Sequence, residues 1–387
     1  MRDEVVNAAA NIEDYSTSDF VRIALIHTRL LYRGGLESRL IAYMRYLQAQ
    51  GHKVTVCVWK RDPTVEIPEG VEIRLFRLRW LPKMFRAWVY DKQLCRYFAS
   101  EQFDLRISLG RTTCHDAMIV AGNHLGFLQA MGRKPRGIDD RLQIMMDGRS
   151  YKAPGVLLPA SEMLRDQMLA FHEVDPSKIQ ILYPPTDGRR FHRELKARKA
   201  EFRKKHGFAE GKRTFLLISA NHGLKGLPIL MQVFDSLQHL PIELVVAGGK
   251  KEESGLPNVR HIGFVRETEE LYAAGDFTLL ASLYDSFGQV VTESLLCDTP
   301  VIVSSMTGAK AIVGPKEGII VETFEVADWK AAILKALETE FDIDPELAKH
   351  KGLLFEDHMT RLLDCAGAGR LGNPASGEEG KLKIIED

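Results

Sequence analysis

The chain alternates between short, wholly apolar runs and longer stretches in which apolar residues recur every three or four positions. VRIALIHT (21–28) is rich in branched residues and predicts a buried strand. Gly34-Gly35 then opens a segment whose apolar stripe, Leu36, Leu40, Tyr43, Met44 and Leu47, has close to the spacing of one helix face. Gly51 stands where a helix wants a left-handed cap, and KVTVCVW (53–59) follows as a second strand. Strand, helix and strand in that order form a βαβ unit, the seed of a parallel sheet with right-handed crossovers.

The pattern restarts in the second half. TFLLISAN (214–221) predicts another opening strand, followed by a turn at Lys225-Gly226 and a helix with Pro228 near its first turn. IELVVAGG (242–249), VRHIGFV (259–265), DFTLLAS (276–282) and TPVIVSS (299–305) are further short apolar strands. The expected fold is α/β: two Rossmann-like, doubly wound domains, over residues 20–188 and 189–345. Their junction falls near 183–205, where YPPTDGRRFHRELKARKAEFRKK passes from turn chemistry to a charged helix. Residues 1–19 read as a disordered polar leader. A helix over 346–365 is expected to pack back on the first domain, and glycine-rich 366–387 reads as a disordered tail.

Composition narrows the function classes. With 387 residues the chain can give each of two domains its own core. Lys+Arg and Asp+Glu are both 52, so no overall field points to nucleic acid. Cys57, Cys95, Cys114, Cys297 and Cys365 are scattered and form no CxxC pair. That argues for a reducing compartment and against a disulfide framework or structural zinc. The first residues hold no apolar signal-peptide core, and no run of about 18 apolar residues occurs, so a cytoplasmic location is expected.

The segment YDSFGQVVTESLLCDTPVIVSS (284–305) carries the chemistry. Asp285 follows a strand, Ser286 is a plausible N-cap, and a helix is predicted to about Cys297 with Glu293 on it. Seven residues separate the two acids, which places the carboxylates about 10–12 Å apart. That suits a nucleotide sugar along the helix start, with one acid on the ribose hydroxyls and the other on the hexose. Backbone N–H groups over Ser286, Phe287, Gly288 and Gln289 would receive a diphosphate or sugar oxygen.

The order of strand, Asp-Ser-Phe-Gly, Glu293 and Thr-Pro-Val-Ile-Val resembles the E-x7-E motif of family 4 glycosyltransferases, which have the GT-B fold. Asp285 replaces the first Glu, and Asp298 stands where the family usually has Gly. Lys225 at a helix start would neutralise the leaving diphosphate. Family members often carry an Arg upstream of that Lys; here the strand exit reads Ser-Ala-Asn-His, and Arg266 is the substitute considered. Gly34-Gly35, followed by Leu36-Glu37, resembles the family's glycine loop, where bare backbone approaches donor phosphate and acceptor. Asn123-His124, at the end of a strand-like stretch from Val120, stands where relatives often place a polar residue facing the hexose; no general base is chosen between them. The layout from Gly110 through FHEVDPSKIQILYPPTD (171–187) is similar to bacterial lipopolysaccharide core glucosyltransferase I. The resemblance implies retaining transfer from a UDP-sugar, no metal or other cofactor, and a lipid-linked glycan acceptor. Asp285 and Glu293 would then be binding groups rather than a glycosidase-type acid and base.

RLFRLRWLPKMFRAWVYDKQLCRYF (74–98) interleaves basic and aromatic residues, among them Arg77, Arg79, Trp80, Lys83, Phe85 and Arg86. Such a mixture suits the surface of an anionic bilayer, here the inner face of the cell membrane. A buried role for Trp88 and Leu94 beneath a solvated basic face is the competing reading. Asp342-Ile343-Asp344 has the D-x-D form of a metal chelator, yet it precedes a predicted helix and reads as its start. A GT-B sugar-nucleotide epimerase and a non-catalytic sugar-nucleotide-binding scaffold are the alternative functions.

Overall fold

A computed structural model describes residues 21–32, 34–249 and 253–368. The polar leader and residues 369–387 of the tail lie outside the described residues. The first half carries strands β1 (Arg22–Ile26), β2 (Arg29–Leu30), β3 (Lys53–Val58), β4 (Lys60–Arg61), β5 (Glu72–Leu75), β6 (Leu105–Ser108), β7 (Ala117–Val120) and β8 (Val156–Pro159). Helices α1 (Gly35–Ala49), α2 (Lys83–Ser100), α3 (His124–Ala130), α4 (Gly137–Lys152) and α5 (Glu162–Phe171) connect them. Six of the strands form a parallel sheet in the order β5-β3-β1-β6-β7-β8, with β2 and β4 paired separately.

The second half repeats this order. Strands β9 (Arg213–Ile218), β10 (Ile242–Ala247), β11 (Val259–Gly263), β12 (Phe277–Leu280), β13 (Val301–Ser304) and β14 (Gly318–Val321) form a parallel sheet, β11-β10-β9-β12-β13-β14. Around it lie α6 (Lys199–Lys205), α7 (Leu227–Ser236), α8 (Thr268–Ala274), α9 (Gln289–Leu296) and α10 (Val326–Glu338). In both sheets the strand order, though not the strand direction, reverses beside the first strand, which opens a crevice at the carboxyl ends of β1 and β6 and of β9 and β12. Helix coverage on both faces explains why the central strands are buried at consecutive positions rather than alternating ones.

The single C-terminal helix expected over 346–365 is two helices, α11 (Leu347–His350) and α12 (Phe355–Ala368). Leu347 joins a cluster with Phe287, Val291 and Ile343, whereas Met359, Leu362 and Ala366 enter the core beneath the first sheet. Gly352, in a left-handed conformation, marks the break. Asp342-Ile343-Asp344 is turn chemistry: Asp344 accepts from the Glu346 N–H (2.9 Å) and pairs with His350 (2.7 Å).

Asp298 is the single non-glycine residue with positive φ among the described residues (57°), just past the end of α9. Its carboxylate reaches Arg193 at 3.2 Å, a half-exposed pair that adds little. Asp298→Gly is therefore expected to unfold in urea within about 1 kcal/mol of wild type. Asp298→Val, which brings a β-branched side chain into the left-handed region, is expected to lose about 2 kcal/mol.

Candidate functional site

The loops leaving β9 and β12 lie side by side and are zipped together. Leu283 N–H donates to the Leu224 carbonyl (2.9 Å), and Gly226 packs so closely that a Cβ there would sit 2.0 Å from the Ala281 oxygen. Gly226 is also left-handed (φ 80°), which glycine alone meets without strain. This contact sets Lys225 just ahead of α7 and aims its ammonium at Asp285, with which it forms an ion pair. Asp285 is held in turn by its backbone: its N–H donates to Met306 O (3.0 Å) and its carbonyl accepts from Gly308 N–H (2.9 Å).

The expected N-cap at Ser286 is corrected by the structure. Helix α9 starts at Gln289, its cap is Gly288 with φ 95°, and a Cβ on Gly288 would meet Thr307 Cγ2 at 2.8 Å. Ser286 instead offers its carbonyl to the Ser161 hydroxyl (2.7 Å), from the first half of the chain. The Phe287 side chain is buried, its ring 5.6 Å from that of Tyr183, which leaves its backbone, the part expected to serve, to face a ligand. Gln289 lies in the cleft, donating to Pro185 O (3.2 Å), and its Oε1 is 3.3 Å from where a Cβ on Gly35 would stand. The glycine loop and the start of α9 therefore face each other.

Glu293, one turn into α9, accepts a hydrogen bond from the Tyr272 hydroxyl of α8 (2.8 Å). Burial raises its carboxyl above the usual carboxylate value, while the Tyr272 hydrogen bond and the nearby Arg190 charge pull it back. The cation whose charge reaches this acid is Arg190, from the junction turn. Arg190 donates to Glu269 (2.7 Å) and to the Arg266 carbonyl (2.6 Å), and the Arg266 side chain is exposed. Reading the sequence missed Arg190 because it lies in a junction turn with no periodic pattern. It missed Tyr272 because that residue also reads as helix core.

At the matching crevice of the first sheet a cavity of about 340 Å³ is lined by His27, Arg29, Trp59, Gly110, Arg111 and Asp147, among others. Gly34 caps α1 at φ 115°, and the Glu37 carboxylate fills the space where its Cβ would be. Glu37 is buried and pairs with Arg29 at 2.6 Å. Beside it His27 has its pKa lowered by burial, with Glu37 opposing, which favours a neutral ring. Arg111 pairs with the buried Asp147 at 2.5 Å.

The strand expected to run to His124 ends at Val120. Asn123 caps α3, its Oδ1 accepting from Gly126 N–H (2.8 Å), and its buried side-chain amide lies against the Tyr151 hydroxyl. Its backbone amide lies against the Tyr284 hydroxyl, one residue before Asp285. His124 turns to Asp140, with Nε2 2.8 Å from Oδ1. Asn123 thus touches the loop after β12, while the His124 ring is engaged on α4.

In the basic-aromatic stretch Trp80 is 77% exposed, and Arg77, Arg79, Lys83 and Met84 are exposed beside it. Arg86 is corrected to a local brace: its guanidinium donates to the carbonyls of Leu81 (2.9 Å) and Arg79 (3.2 Å). Phe85 and Trp88 are half-buried, Leu94 is core, and Lys92 sits 3.8 Å over the Trp88 ring. No helix among the described residues is long and apolar enough to cross a membrane.

Comparison with known proteins places this geometry. Residues 33–190 match Glycosyltransferase Family 4, and residues 198–351 match Glycosyl transferases group 1. A probable transglycosylase of Burkholderia thailandensis is 30% identical over 364 residues, covering 90% of this chain and 99% of that protein. Among solved structures, WaaG, a glycosyltransferase involved in lipopolysaccharide biosynthesis, superposes with TM-score 0.75 at 18% identity, over 89% of this chain and all of that one. Anabaena Alr3699/HepE in complex with UDP-glucose superposes with TM-score 0.67 at 13% identity, over 90% of this chain and all of that one. With both halves matched and a full-length relative at this identity, the chain belongs to the family 4 glycosyltransferases of GT-B fold.

Proposed function

We propose that this glycosyltransferase moves a hexose, with retention, from a UDP-sugar to a cell-envelope glycan or glycolipid such as a lipopolysaccharide core, without a metal ion. The observation that carries the reading is the Lys225–Asp285 ion pair at the β9/β12 crevice, with Glu293 one turn into the adjoining helix. The UDP-glucose complex of a protein with the same fold supports the donor class. WaaG's involvement in lipopolysaccharide biosynthesis supports the acceptor class.

In this scheme Glu293 accepts the ribose hydroxyls and Asp285 the hexose hydroxyls. Lys225 and the backbone at the start of α9 take the diphosphate charge that grows as the glycosidic bond breaks. The leaving phosphate accepts the acceptor's proton on the same face. Asn123 faces the hexose, the glycine loop presents backbone to donor and acceptor, and the first-domain cavity receives the acceptor. Arg77, Arg79, Trp80 and Lys83 rest on an anionic membrane.

Four outcomes are expected. Thermal shift with a panel of nucleotide sugars should give an EDTA-insensitive rise in Tm with one UDP-hexose, absent in Glu293→Gln; no rise with any nucleotide sugar would overturn the reading. The raised carboxyl of Glu293 means its ionised form weakens the fold. That penalty is absent below the unfolded-state pKa and sets in as pH rises through the higher folded value. Ligand-free Glu293→Gln should therefore gain on wild type in Tm between about pH 4 and pH 7.

Lys225→Ala should lower kcat about 100-fold in a transfer assay while the protein stays folded. In flotation with anionic liposomes, replacing Arg77, Arg79 and Lys83 by Gln should weaken binding about 100-fold, at about 1 kcal/mol per basic residue near the surface. Wild-type protein that stays off the liposomes would remove the membrane assignment.

A further inference from the structure

Cys95 and Cys114 are 19 positions apart in sequence and sit on different elements, yet the fold brings them together. Cys95 is on α2, and Cys114 is on the loop between β6 and β7. Their sulfurs and a carboxylate oxygen of Asp91 all lie within 4.8 Å of one another. Both cysteines are only partly buried, so solutes reach them. Asp91 and Thr113 already hold the two segments in place. The Thr113 N–H donates to Asp91 Oδ1 (2.6 Å), and its hydroxyl donates to Oδ2 (2.9 Å). The gap between the thiols is therefore spanned by a non-covalent tie that keeps them facing.

We propose that Cys95 and Cys114 form a reversible disulfide, a redox-modifiable site that fastens α2 to the loop lining the first-domain cavity.

The two thiols divide the work. The hydrogen bond from Cys114 lowers Cys95 to about 7, with Arg106 assisting and burial and Asp91 opposing; the same interaction raises Cys114. Cys95 is thus the thiolate and Cys114 the thiol that resolves it. Cys57 and Cys297 are buried and each pushed up to about 12, and Cys365 is raised by burial, so none of the three competes. With hydrogen peroxide as oxidant, Cys95 thiolate attacks one peroxide oxygen, giving a sulfenic acid and hydroxide. The Cys114 sulfur then displaces hydroxide from that sulfenic acid, forming the S–S bond. Two thiols and one peroxide become one disulfide and two waters. The product is neutral, which removes a thiolate from beside the buried Asp91 carboxylate. Gly110 and Arg111, on the stapled loop, line the cavity, so oxidation stiffens one of its walls.

The test uses the full-length protein, reduced and then treated with hydrogen peroxide or oxidised glutathione. Free thiols are counted by alkylation, and cross-linked peptides are identified by mass spectrometry. The expected result is loss of two thiols, a Cys95–Cys114 peptide, and full reversal by dithiothreitol. Before oxidation, Cys95 should alkylate at least about tenfold faster than the other four in the folded protein. Cys114→Ser should divert Cys95 to a stable glutathione adduct, and Cys95→Ser should leave Cys114 unmodified at the same dose. An unchanged thiol count, a cross-link elsewhere, or Cys95 reacting as slowly as Cys57 overturns the proposal. So does a zinc ion retained through purification that protects both thiols, which would assign Asp91, Cys95 and Cys114 to a cation instead.

Discussion

The candidate site at the second crevice depends on one steric constraint, the contact of Gly226 with the carbonyl of Ala281. That contact lets the loops after β9 and β12 run close enough to bond backbone to backbone, and it fixes the distance at which Lys225 meets Asp285. A side chain at 226 would meet backbone atoms that have nowhere to go, and the two loops would have to part. Lysine and aspartate would then be two independent surface charges, each free to solvate. The charge arrangement is thus a consequence of packing, and the packing is a consequence of a single glycine where the sheet reverses.

The second organising feature is the set of ties between the halves. Ser161 reaches Ser286 O, Tyr284 reaches Gln167, and the hydroxyls of Thr186 and Thr292 are 2.7 Å apart. His358 of α12 receives the Tyr43 hydroxyl of α1 on one nitrogen and lies 2.8 Å from the Tyr183 carbonyl on the other. Burial drops its pKa to about 3, so it stays neutral and keeps both bonds through the physiological range. Two of these ties end on residues that flank Asp285. The loop that carries Asp285 is therefore tied directly to the first half of the chain, which would suit the proposed transfer if the halves close on a water-sensitive donor.

The strands were readable in the sequence because buried parallel strands are apolar on both faces. Lys225, Asp285 and Glu293 were readable because their offsets from those strands are fixed along the chain. What the sequence did not show depends on groups distant in the chain. Ser286 looks like a cap, but Ser161, 125 positions away, takes its carbonyl while Gly288 starts the helix. Phe287 looks like a site residue by position, yet Tyr183 draws it into the core between the halves. Arg190 is one cation among many in a string of letters; only the fold shows that its charge reaches Glu293. The five cysteines look scattered, and it takes the Asp91–Thr113 tie to show that two of them are neighbours.

Charge balance at the crevice explains why phosphate and sugar recognition belong together in the proposed reaction. In the structure Lys225 is paired with Asp285, and Arg190 with Glu269. A diphosphate arriving alone would draw Lys225 toward itself and leave the Asp285 carboxylate facing a like charge with one partner fewer. A nucleotide sugar brings its own remedy, because hexose hydroxyls can donate to Asp285 as Lys225 turns to the phosphates. When the hexose departs with the acceptor those hydroxyls leave too, and the ion pair can re-form as the diphosphate is released. In the proposed reaction, then, the intact donor rather than its product is the ligand that would satisfy both charges of the pair.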